Sequence, residues 1–231
     1  KVSAHGEEEI AGLVAEAIKQ TGEHSNITVE ESKGVESYVE VIEGLKYHSG
    51  WLSPYFISDQ KKKAADLRDT FVLIYEGKIF DLKMMVGLLD KINKANASLL
   101  VVSDNLDGEA LSSLAVNNLQ GKIRVAAIDP FGHNAEDRKF RLEDLAIATG
   151  AEILSPDKGT EHLNDISLEQ LGRADRVIVS QGNTLIVGGN ADEAKMKERV
   201  EVIVAQIEDT EGRYEKELVN GRLASITGGV G

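Results

Sequence analysis

From Phe71 onward the sequence alternates short, largely apolar runs with stretches of helical spacing, and no other feature constrains the fold as much. The runs Phe71 to Tyr75, Leu99 to Ser103 and Ile123 to Ile128 predict strands, and the segments from about Lys83 to Ala95 and from Gly108 to Leu119 predict helices between them. A strand that is apolar at consecutive positions must be covered on both faces. The expected fold is therefore α/β, a layered domain with helices packed on its sheet. A helix is expected at Ala135 to Thr149 and a short strand at Glu152 to Leu154, with a late strand pair at Arg176 to Val179 and Thr184 to Val187. The last part, Asp192 to Ile226, returns to helical spacing (Val200, Ile203, Val204, Ile207, then Leu218, Arg222, Leu223, Ile226) and is interrupted near Gly212, which predicts two antiparallel helices.

Ahead of this lies a different pattern. Ile10, Leu13, Val14, Ala17 and Ile18 share one face of a helix predicted over Glu7 to Thr21 and ending near Gly22. Ile27 to Glu31 and Tyr38 to Ile42 read as short strands separated by Gly34, and Glu43-Gly44 closes the pair, with Gly44 placed to act as a hinge. No internal repeat, low-complexity stretch or long linker interrupts the chain.

Composition excludes several classes. A formal charge of −13 opposes binding to phosphate backbones, which relies on Lys and Arg displacing counterions, so no nucleic-acid partner is expected. The longest apolar runs fall far short of the roughly 20 residues that cross a bilayer, and no membrane association is expected. With no cysteine, a disulfide framework and a thiolate metal site are out of reach, and a reducing, intracellular compartment is the natural expectation. The chain opens at Lys1 and stops at Gly228-Gly229-Val230-Gly231, which reads as a piece excised from a longer subunit.

Signatures of catalysis are sparse. No Gly-rich loop ends in Gly-Lys-Ser/Thr, and neither Gly188-Gly189 nor Gly228-Gly229 has the strand-to-helix context of a dinucleotide loop. The histidines, His5, His24, His48, His133 and His162, lack the spacing of a zinc motif. Asn26-Ile27-Thr28 matches a glycosylation sequon, but no secretory signal accompanies it. Asp104, Asp107 and Glu109 crowd a strand-to-helix junction, where they would either favour the positive end of the helix from Gly108 or hold a metal. The more telling residues are apolar. Trp51-Leu52-Ser53-Pro54-Tyr55-Phe56-Ile57 gathers rings around a proline, which breaks regular structure and places some of them at the surface. Met84, Met85, Val86, Leu88 and Leu89 make the first helix apolar over more than one face, as befits either a core helix or an adaptable binding surface; Leu111, Leu114, Ala115 and Val116 leave the same choice on the next.

Taken in order, Glu43-Gly44, Gly50 to Phe56, Asp107-Gly108-Glu109-Ala110-Leu111, Val116-Asn117-Asn118, Val125-Ala126-Ala127, Leu142 to Ala146 and Thr149-Gly150 resemble the apical region of group I (GroEL-type) chaperonins, over about Val2 to Gly229. The resemblance implies an intermediate-domain segment over residues 1–43, a small α+β portion, and an apical domain over 44–229. It implies that Trp51, Ser53, Tyr55, Phe56, Val86, Leu89, Leu111, Ala115, Val116 and Asn117 bind non-native polypeptides and, in competition with them, the mobile loop of a GroES-type co-chaperonin. The hinge falls at Gly44 and Gly228-Gly229. Val2 and Ser3 resemble the stretch close to the nucleotide, but the phosphate loop and the metal-binding and catalytic aspartates of the family have no counterpart. No cofactor or ATPase activity is therefore expected of this piece; ATP, Mg and a heptameric ring belong to the full-length parent, while the piece alone is expected to be monomeric.

The sequence departs from the family in three places. Asp129 to Lys139 is longer and more acidic than the usual Pro-Gly-Phe-Gly-Asp block, Ser49 stands where a basic residue is usual, and Ala115 replaces a valine. Two other readings follow: a divergent paralogue with one specific protein partner, and an α/β enzyme with a metal on Asp104, Asp107 and Glu109.

Overall fold

The computed structural model describes residues 42–106, 108–227 and 229–230. The chain divides into two compact units, Tyr47–Arg199 and Lys1–Lys46 with Val200–Gly231. The described elements begin with β1 (Ile42–Tyr47), β2 (Ala65–Ile79), helix α1 (Val86–Lys94), β3 (Ser98–Leu106), α2 (Gly108–Leu119) and β4 (Val125–Ile128). They continue with α3 (Ala135–Thr149), β5 (Ile153–Leu154), β6 (Gly172–Val179), β7 (Thr184–Gly189), α4 (Glu193–Asp209), α5 (Arg213–Thr227) and β8 (Gly229–Val230).

In the larger unit the strands run β4-β3-β2-β6-β7, with β5 also on β2. The β2–β3, β3–β4 and β2–β5 pairs are parallel, and β2–β6 and β6–β7 are antiparallel, so the sheet is mixed and helices flank it. Val72 to Tyr75, Leu99 to Val102 and Val125 to Ile128 are buried at every position, as strands covered on both faces must be. The fold is α/β, as the alternation of runs implies.

β2 extends well beyond the five residues its apolar run marks. Its first half alternates between inward Ala65 and Leu67 and outward Asp66 and Arg68, and pairs with β6 from Ala65 opposite Val179 to Val72 opposite Gly172. Further along, the same edge of β2 takes Ile153 and Leu154. The helix expected from Lys83 starts later, because the Asp81 carboxylate accepts from Lys83 N at 2.8 Å and tightens Leu82–Met84 into a 3-10 turn before Val86. α3 ends where expected: Asn134 Oδ1 accepts from Asp137 N at its start, and Gly150 turns left-handed (φ 74°) at its close.

In the smaller unit β1 pairs antiparallel with β8, Glu43 opposite Gly229, so Gly44 and Gly229 sit in neighbouring backbones. Arg222 Nη1 donates to Gln206 Oε1 at 3.0 Å between α5 and α4, with Ile203 and Ile226 buried. The helix expected at Glu7 to Thr21, the strand at Ile27 to Glu31, nearly all of that at Tyr38 to Ile42, and Val2, Ser3, Asp107 and Gly228 lie outside the described residues.

On the outward face of β2 and β6, Arg176 Nε and Nη2 grip both oxygens of Asp66 at 2.8 Å. The hydrogen bond from Arg176 is the main cause that holds the Asp66 carboxyl below its ordinary range. Because the folded pKa is the lower one, the pair's contribution is complete above the unfolded carboxylate value of about 4 and is lost as pH falls through the folded value. Asp66→Asn should therefore lower the urea midpoint at neutral pH, and the gap from wild type should close as the medium is acidified.

Candidate functional site

Three pieces of the larger unit meet around α2. The first is the segment from Gly50 to Phe56, which is stitched across the sheet: Trp51 N donates to Ser180 O at 3.1 Å and Leu52 N to Ala127 O at 2.9 Å. Gly50 allows this approach, since any Cβ there would collide with the backbone of Gln181. Ser53 Oγ caps the 3-10 turn Pro54–Phe56, which drives Phe56 fully inside and leaves Tyr55 59% exposed.

Asn118 is the residue that fixes this segment, and sequence reasoning passed over it. Its Nδ2 donates to Tyr55 O at 3.1 Å while its Oδ1 accepts from Val125 N at 3.0 Å, which ties α2 to both the segment and β4. Nothing in the pair Asn117-Asn118 tells which amide faces inward. Asn117 instead turns back on its own helix, with Nδ2 donating to Ser113 O at 2.8 Å.

The second piece is α2 itself. Ala110, Leu114 and Ala115 are buried against the sheet side, Leu111 is half-buried, and Glu109, Ser112, Val116 and Leu119 form the exposed row. Val116, 49% exposed, and Leu119 are three residues apart on that row and so are neighbours on the surface. The third piece is the turn Leu82–Met84, which packs against α2 and leads into α1. There Val86 is 45% exposed, whereas Leu88, Leu89 and Ile92 are buried.

The candidate residues therefore divide. Tyr55, Val86 and Val116 offer apolar surface, with Leu111 and Trp51 partly open beside them; Ser53, Phe56, Leu89 and Ala115 lie beneath as support. Phe80 and Leu119 are also exposed large apolar residues, and neither was among the candidates. Their signal was positional: one closes an apolar strand and the other is the last residue of a helix. The helical row carries a single charge, Glu109, and its C-terminal half presents the apolar Val116 and Leu119.

At the end of β3, Asp104 Oδ1 receives Arg138 Nη1 at 3.2 Å, so its carboxylate is already engaged by α3. Among the described residues no three His, Cys, Asp or Glu side chains gather as a metal set, and no helix is long and apolar enough to cross a membrane. Of the histidines, His48 Nδ1 lies 3.0 Å from Asn183 Oδ1, and His133 uses its backbone N–H to reach Asp137 Oδ2 at 2.8 Å.

The departures have structural settings of their own. Ser49 Oγ donates to Asp129 O at 2.9 Å, and Ser49 O accepts from Thr184 Oγ1 at 2.7 Å. Ala115 is buried, so its small side chain bears on packing beneath α2 and not on the exposed row. In the altered loop and helix, Asp137 and Arg141 form a buried pair, both carboxylate oxygens accepting from Nε at 3.0 and 2.9 Å. No family model matches this sequence.

Proposed function

We propose that this chain is the apical, polypeptide-binding part of a group I chaperonin subunit with a flanking piece of its intermediate domain. The observation that carries the reading is the exposure of Tyr55, Val86 and Val116 on pieces that pack together around α2. The order of sequence blocks from Glu43-Gly44 to Thr149-Gly150 supports it independently. Non-native segments would dock along this strip through buried apolar area with little demand for sequence, and the loop of a GroES-type co-chaperonin would compete for it.

Burying about 400 Å2 of apolar surface at roughly 25 cal/mol per Å2 contributes on the order of 10 kcal/mol gross, most of it offset by ordering the partner. One site is then weak, and the parent gains strength by holding a client on several subunits of a heptameric ring in a cytoplasmic or organellar matrix compartment. ATP and Mg would act in the parent's missing portion. The purified chain should release no phosphate from Mg-ATP above the buffer blank.

The test is whether the chain, in excess and without ATP, suppresses aggregation of a chemically denatured protein diluted from denaturant. Protection supports the reading. No protection at any concentration by the chain, even when tethered into multivalent form, counts against general client binding and leaves the specific-partner reading, which a single dominant captured protein would then identify.

A further inference from the structure

Helix α1 is the weakest part of the proposed surface by its own sequence. Nine residues are too few for a helix to be stable unaided, and Gly87 in its first turn lowers its propensity further. Met85 precedes the helix and gives no side-chain cap. The missing cap comes from a loop 77 residues away in sequence: Asn164 Oδ1 accepts from Gly87 N at 2.8 Å. The same amide's Nδ2 donates to Lys83 O at 2.8 Å, and Leu163, fully buried, donates its N–H to Met84 O at 3.0 Å. One turn further along α1, Lys91 Nζ donates to Asn164 O at 3.0 Å and to Ile166 O at 2.9 Å.

Gly87 explains how the loop comes so close. A Cβ at that position would stand 3.1 Å from Asn164 O and 3.2 Å from its Oδ1, tighter than side chains normally sit. Gly87 and Lys91 are four apart and share a face, so the loop grips α1 along one line while Leu88, Leu89 and Ile92 hold it to the core. Val86, adjacent to Gly87, is left projecting.

We propose that Asn164 is a positioning residue for the client surface: from outside it, Asn164 holds the first turn of α1 folded and sets where Val86 meets a bound segment. The inference rests on the client-binding reading above and says what controls that site. A frayed first turn leaves only a fraction of molecules competent, and apparent affinity falls by that fraction.

The full chain is compared with Asn164→Ala, Asn164→Asp and Lys91→Met in two measurements: amide exchange at Gly87 to Leu89, and binding of a fluorescent ten-residue Leu- and Phe-rich peptide. Asn164→Ala should speed exchange about fivefold or more and weaken the peptide about threefold, with the global Tm nearly unmoved. Asn164→Asp keeps the acceptor for Gly87 N and adds a charge suited to a helix N-terminus, but it loses the donor to Lys83 O, so both readouts should fall between those of Asn164→Ala and wild type. Should Asn164→Ala fail to fold, Lys91→Met, which keeps the apolar stem, carries the same expectation of faster exchange and weaker binding. Unchanged exchange, or faster exchange with unchanged peptide affinity, overturns the inference. If wild type itself does not bind the peptide, the client reading fails and takes this inference with it, a result told apart because it shows before any substitution is made.

Discussion

Val116→Glu should weaken capture of denatured protein at least about thirtyfold. Burying the exposed half of the Val116 side chain contributes about 0.8–1.5 kcal/mol, and a carboxylate in its place must lose water without gaining a partner, at a further cost of about 1–3 kcal/mol. Val116 stands half-exposed on the outer row of α2, so the folded chain should tolerate the change within about 0.5 kcal/mol. Glutamate is also the better helix former. Light scattering of a diluted denatured protein reads the loss, and an unchanged melting curve shows that the fold survives. A Val116→Glu variant that still protects would mean that α2 is not the binding surface.

Asp137→Ala should lower stability by about 3–5 kcal/mol. Removing the carboxylate leaves the Arg141 guanidinium buried without its partner and deprives the His133 N–H of its acceptor. For a domain of this size the fall in Tm should be roughly 6–20 °C. Calorimetry distinguishes the two parts of the cost. In the double variant Asp137→Leu, Arg141→Met no charge is stranded, and most of the stability should return. If it does not, the hydrogen bond to His133 and the loop from Asp129 to Asn134 carry more of the energy than the ion pair does.

The parallel half of the sheet was legible because burial on both faces leaves consecutive apolar residues, a pattern hard to imitate otherwise. The first half of β2 was not, since Asp66, Arg68 and Asp69 break the apolar run and only pairing with β6, more than a hundred residues away, makes it a strand. At the candidate site, sequence marked the right helices but could not set their rotation. Leu89 and Val86 look alike in a string of letters, yet the first is buried and the second exposed, so Leu89→Glu would test folding where Val86→Glu tests binding. Asn118 and Asn164 were invisible for another reason: each amide acts on backbone remote in sequence, and no local spacing records such a bond.

The division of β2 between partners has a consequence for synthesis. Its parallel neighbour β3, and β4 beyond it, follow within about 50 residues, but β6, which covers its first half, begins about 90 residues after β2 ends. At a translation rate of roughly 5–20 residues per second, that edge stays unpaired for about 5–20 s as the chain emerges. An open strand edge beside wholly apolar runs is a template for association with other chains. During that interval the nascent polypeptide would itself be the kind of partner that its finished surface is proposed to hold.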